Sequence, residues 1–195
     1  MKRGTLVGIT VSAIVLMSFT LAPAEGVDKP WLDEAGMFTS YASESSWLNP
    51  DDTYNLSAKR VTMFGTKYVD EGRRWKFEGE VHGSFHSAHG PDRNTNVDEF
   101  GINLVFKREF PSKLAIVPYV GFMAGTSRLL DVNNQPQFGD SGWLGTLGPL
   151  LGVNILVGDD WYVRTEYRLT HSSDPFNSDV GRNLDNFSVG IVYLF

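Results

Sequence analysis

The chain has 195 residues, 17 Lys+Arg against 23 Asp+Glu, a formal net charge of -6 and no cysteine. The missing cysteine excludes disulfide scaffolds, thiolate metal sites and cysteine nucleophiles, and an acidic chain without a basic block argues against nucleic acid as partner. Hydrophobic residues at 42%, aromatic residues at 13% and 20 glycines fit a glycine- and aromatic-rich β protein.

Lys2 and Arg3 open the chain, Leu6 to Leu21 is apolar apart from Gly, Thr and Ser, and Ala22-Pro23-Ala24 offers a small-x-small cleavage site. This is the pattern of a cleaved secretory signal over residues 1–24. An uncleaved anchor is the alternative, but the apolar stretch is short for a bilayer-spanning helix. Cleavage removes two cations and no anions, leaving a single domain over 25–195 with 15 basic and 23 acidic groups.

Eight candidate strands follow, at about 35–44, 53–69, 73–87, 97–110, 112–127, 143–158, 160–173 and 185–195. The first is weakly patterned, and the second has unclear parity because Arg60 shares a side with Phe64 and Tyr68. The third is the clearest. Trp75, Phe77, Gly79, Val81, Gly83 and Phe85 alternate with Lys76, Glu78, Glu80, His82 and Ser84, giving one apolar and one charged face. In the fifth, Pro118 is an objection, since proline removes a ladder donor. The seventh places Trp161, Val163, Thr165, Tyr167 and Leu169 on one face and Arg164, Glu166 and Arg168 on the other. The eighth ends in Phe187, Val189, Ile191, Tyr193 and Phe195.

In a soluble sandwich the apolar faces would form the core. The length of these strands exceeds the usual five or six residues of globular sheets, and an aromatic C-terminal strand closing on Phe195 resembles the ending of bacterial outer-membrane proteins. The expected fold is therefore all-β, an eight-stranded antiparallel transmembrane barrel of the Gram-negative outer membrane, with aromatics toward lipid and charges inside. Short turns are expected near 70–72, 111–112 and 158–160, and longer outer loops near 45–52, 88–96, 128–142 and 174–184. Trp75, Trp161 and Tyr193 would belong to the inner aromatic girdle and Trp143 to the outer one.

Parity then sends three polar side chains outward. His171 and Ser173 continue the Leu169 face of strand seven, and Asp185 continues the Phe187 face of strand eight. Positions i and i+2 lie roughly 6.6 Å apart along a strand, so an imidazole and a hydroxyl can reach each other. Histidine as base, serine as nucleophile and a carboxylate as orienting acid are the minimal machinery of an activated serine. The bland reading is three polar residues emerging into the headgroup zone.

The run Tyr167-Arg-Leu-Thr-His171-Ser-Ser173-Asp-Pro, then Asn177, then Gly181-Arg-Asn183-Leu-Asp185, then Gly190-Ile-Val-Tyr193-Leu-Phe195, resembles the C-terminal signature of the PagL-type lipid A 3-O-deacylases. The family pattern is His-x-Ser-Asn with an acid about twelve positions after the serine, and Asp185 meets that spacing. Asp174 stands at the family's asparagine, and the acid is Asp rather than Glu. The resemblance implies a serine esterase that removes the 3-position acyl chain of lipid A in the outer leaflet. Its catalytic residues would be His171, Ser173 and Asp185, with Asn177 or Asn183 as candidates for oxyanion support. The chemistry needs no metal or organic cofactor. Expected partners are lipopolysaccharide and membrane lipid, with a homodimer left open. The alternative from another class is a noncatalytic barrel with a structural or loop-binding role, and a third reading is an esterase for phospholipid.

His82, His86 and His89 suggest a metal site only superficially. On a strand, His82 and His86 stand roughly 13 Å apart, so lining of the lumen is the expected role. Gly-x-Ser-x-Gly, Walker, His-Glu-x-x-His and dinucleotide patterns are all missing from the chain.

Overall fold

A computed structural model describes residues 32–44, 55–89, 94–110, 115–130, 142–174 and 177–195. Residues 1–24, the expected secretory signal, lie outside the described residues. The strands are β1 (Glu34–Glu44), β2 (Asn55–Tyr68), β3 (Trp75–His89), β4 (Asn94–Glu109), β5 (Ile116–Leu130), β6 (Trp143–Leu156), β7 (Trp161–Asp174) and β8 (Asn177–Leu194). Each pairs antiparallel with the next, and β8 returns to β1, closing the barrel. Closure removes every sheet edge, the requirement for a sheet that meets hydrocarbon.

The alternation sorts as expected. Phe77, Ile102, Leu104, Phe122, Leu151 and Phe187 are exposed on the outside, while Lys76, Glu78, Glu80, Arg164, Glu166 and Arg168 are buried within. The doubtful strand is settled by the lumen: Arg60 and Phe64 both point in, and the Tyr68 hydroxyl donates to Glu34. Phe64 is tolerated there because the Arg164 guanidinium lies 4.2 Å from its ring centroid. Pro118 also fits. The β4 ladder ends at Glu109↔Tyr119, so the proline nitrogen faces past the last pair, while its carbonyl still accepts from Phe110 N at 2.8 Å.

The lumen is filled by charge pairs. Lys107 Nζ donates to Glu78 at 2.6 Å and lies 2.9 Å from Glu166; Arg164 donates to Glu78 at 2.7 Å; Arg168 holds both oxygens of Glu80. Among the described buried residues six carboxylates (Glu34, Glu78, Glu80, Glu99, Glu109, Glu166) face five cations (Arg60, Lys76, Lys107, Arg164, Arg168). Such near-balance is what lets charges sit at full burial. Apolar clusters fill the remaining space: Val105, Tyr119, Met123 and Leu150 at one level, and Ala42, Leu56, Ala58, Val97, Leu129 and Leu184 beneath the far rim.

Both described ends meet at one rim, where Phe195 N donates to Asp33 O. Segments 45–54 and 131–142 connect strands at the opposite rim, and the longer connections of such barrels are the extracellular ones. That rim is called the outer rim below. Two expected loops are corrected. Residues 90–93 are all that separates β3 from β4, and only residues 175–176 separate β7 from β8. The stretch 177–184, rich in Asn, Ser, Asp and Gly and therefore turn-like by composition, is strand because it pairs with the upper part of β7.

Candidate active site

The outer end of the β6–β7–β8 surface collects the candidate residues. On β7, Thr170 is buried inside, while Leu169, His171 and Ser173 take the opposite parity with partial exposure; on β8, Gly181, Asn183, Asp185 and Phe187 share that outward face. The register pairs Ser173 with Gly181, His171 with Asn183 and Leu169 with Asp185. Asp185 is therefore the diagonal neighbour of His171, a separation of roughly 7–8 Å between backbones in antiparallel pairs.

His171 Nδ1–H donates to Asn183 Oδ1 at 3.0 Å. That bond selects the tautomer whose Nε2 carries a lone pair. The ring then leans over Gly181: a Cβ built there would lie 3.1 Å from Cε1 and 3.5 Å from Nε2. Glycine leaves the room the imidazole occupies, and it does so on the residue directly opposite Ser173. On the other side Ser173 pairs with Gly145, where a Cβ would meet only the Ser173 carbonyl oxygen, at 3.8 Å. The serine thus stands between two positions without side chains.

Asp185 accepts from the Tyr167 hydroxyl, its cross-strand diagonal neighbour in the other direction. Among the described residues no hydrogen bond joins Asp185 to His171 or His171 to Ser173. The sequence reading missed Tyr167 as the partner of Asp185. It offered Asn183 for oxyanion support, and the structure places the side-chain oxygen of that residue on the histidine; Asn183 shares the parity of Asp185, which is the signal for this contact. The side chain of Asn177 lies outside the described residues, as does that of Asp174.

The lumen carries a second gathering of the same residue types. His82 Nε2–H donates to Glu99 Oε1 at 3.1 Å, His86 Nε2 meets Glu99 Oε2, Ser84 Oγ donates to Glu99 Oε2 at 3.0 Å, and Arg60 lies 3.5 Å from Oε1. Among the described residues no cluster has the arrangement to hold a metal ion. The His89 side chain lies outside the described residues.

Comparison with curated proteins finds no match. Solved structures share the fold at low identity. The neisserial surface protein A, NspA, aligns with a TM-score of 0.54 at 17% identity, covering 83% of this chain and 96% of that one. OprG, an outer membrane protein of Pseudomonas aeruginosa, gives 0.51 and 14%, covering 84% and 96%. The outer membrane enzyme PagL gives 0.55 and 12%, covering 82% and 99%. The sequence itself matches the outer membrane protein beta-barrel domain over residues 11–195. With strand count, closure and facing in agreement, the chain belongs to the outer membrane protein beta-barrel family and resides in the bacterial outer membrane.

Proposed function

We propose that the protein is a lipid A 3-O-deacylase, with Ser173 as nucleophile, His171 as general base and Asp185 as the supporting carboxylate. One observation carries the reading: His171 is held through Nδ1 by Asn183, so its Nε2 is left for the row that contains Ser173, on the lipid-facing side of the outer rim. An acyl ester sits at that depth without entering the barrel.

The step sequence follows from acyl transfer. Ser173 Oγ attacks the ester carbonyl as its proton passes to His171 Nε2. The tetrahedral adduct collapses, the sugar hydroxyl leaves with the proton from Nε2, and the acyl group stays on Oγ. Water, deprotonated by the same nitrogen, then releases the fatty acid and restores the serine. The imidazolium formed on the way is positive, and Asp185 on the same face supplies negative charge toward it. Tyr167 anchors that carboxylate.

The test is the acyl pattern of lipid A from cells carrying wild-type or Ser173→Ala protein at equal barrel levels. A pattern that loses the 3-position chain only with wild type is expected. Identical patterns would leave the protein a noncatalytic barrel, and a change confined to phospholipid would make it an esterase of another substrate.

A further inference from the structure

Arg128 is the feature that the deacylase reading does not use. It lies on the outward face of β5 near the outer rim and is exposed. Its cross-strand partners are Phe100 on β4 and Trp143 on β6. The guanidinium stands 5.7 Å from the Trp143 ring centroid. Asp98, the nearest carboxylate on that face of β4, pairs with Leu130 one row further out and makes no ion pair with Arg128. Its other neighbours on that face are mostly apolar: Phe100, Ile102, Leu130 and Trp143 are exposed, with Thr126 one row inward.

A cation on a lipid-facing wall is costly unless an anion meets it. A cation–π contact with an indole restrains a guanidinium and leaves edge donors for an anion, the chemistry suited to phosphate recognition. Register relates this cation to the candidate nucleophile. Thr126 pairs with Gly145, and Gly145 pairs with Ser173, so Arg128 stands two strands across and one row outward from Ser173. That offset is about 12 Å between backbones, and a long arginine side chain spans a large part of it. On β6 between them stand Trp143, the indole beside Arg128, and one row inward Gly145, which leaves a gap next to Ser173.

We infer that Arg128, in cation–π contact with Trp143, is a phosphate-binding site that holds a phosphate group of the glycolipid whose ester lies at Ser173. The inference rests on the deacylase reading for the identity of the glycolipid, but its test does not depend on turnover. The outward offset matches a phosphate that lies nearer the headgroup layer than the ester does. The Gly145 gap gives the sugar ring a place to lie between the two contacts.

The experiment measures equilibrium binding of lipid A, before and after phosphatase treatment, to the full-length barrel in uncharged detergent. Ser173→Ala protein is used so that no ester is cleaved. Arg128→Gln is expected to weaken binding of the phosphorylated lipid by about tenfold and to leave the dephosphorylated lipid unchanged, with Arg128→Lys recovering part of the loss. Equal loss on both lipids would make Arg128 a packing residue. No loss on either, or a loss seen only when anionic phospholipid is added, would overturn the assignment, the last because the phosphate would belong to a neighbouring lipid. If wild type cleaves neither lipid while this binding pattern holds, the deacylase reading fails and the phosphate site stands.

Discussion

Among the described residues, two places bring histidine, serine and a carboxylate together, one inside and one outside. Within the lumen Ser84 and His86 are two residues apart on β3, and their Oγ and Nε2 lie 3.3 Å from each other, with Glu99 beside both. On the outer surface His171 and Ser173 are likewise two apart on β7. In the lumen every partner is turned on one carboxylate: His82, His86, Ser84 and Arg60 all converge on Glu99. A serine that donates to a carboxylate and a histidine committed to the same oxygen have no reacting group to meet, and the site lies under an apolar layer. Outside, the histidine is held from the side by an uncharged amide, its second nitrogen is turned along the wall, and the serine is bordered by glycines. The same chemical letters give a structural clasp on one face and, in the proposed reading, a nucleophile on the other.

Removing each serine in turn breaks the comparison most sharply. Ser173→Ala is expected to reduce lipid A deacylation by about 10³-fold or more, whereas Ser84→Ala should leave kcat within about twofold of wild type, both read by mass spectrometry of released fatty acid from purified barrels. A fall with Ser84→Ala alone would move the chemistry inside. The lumen should answer in stability instead. Glu78→Gln removes the carboxylate that Lys107 and Arg164 share, leaving Lys107 on Glu166 and Arg164 beside Glu34, and is expected to cost about 3 kcal/mol, measured by urea unfolding in lipid vesicles followed through tryptophan fluorescence, with turnover per folded molecule unchanged.

Smaller effects separate the two supports of His171. Asp185→Asn removes the charge proposed to stabilise the imidazolium and should lower kcat by about 10²-fold with KM little changed. Asn183→Ala deletes one hydrogen bond to the ring and should lower kcat by about tenfold; an Asn183 effect larger than the Asp185 effect would make the amide the principal support. The least effect is expected from Gly181→Ala, whose methyl would sit 3.1 Å from His171 Cε1. The ring must give by a few tenths of an ångström, for a loss of about threefold in kcat/KM.

Much of the fold was legible because a strand in a small barrel has two unlike solvents. Lipid outside and a charged lumen inside force a period of two, and β3, β7 and β8 display it plainly. Strand β2 did not, because Phe64 and Arg164 satisfy each other inside the lumen, a pairing between residues a hundred positions apart in sequence. The upper half of β8 was hidden by its composition of turn-forming residues. Its register was hidden by an irregularity between Ser173 and Asp174. Without that irregularity, the pairing Asp174↔Asn177 would continue to His171↔Val180, and the imidazole would face an apolar residue. With it, His171 meets Asn183. Parity alone thus placed three reactive groups on one face, but only the register shows which amide holds the ring and why the carboxylate is met by Tyr167.

The central claim is that Ser173 is a nucleophile made reactive by His171 on the lipid-facing rim. The most direct measurement is covalent capture with a long-chain fluorophosphonate, in which Oγ bonds to phosphorus and fluoride leaves, followed by peptide mass mapping of the full-length barrel. One adduct is expected, on Ser173, absent from Ser173→Ala and from His171→Ala protein and retained in Ser84→Ala. An unmodified Ser173 in a folded barrel, or an adduct that persists after His171→Ala, would contradict it.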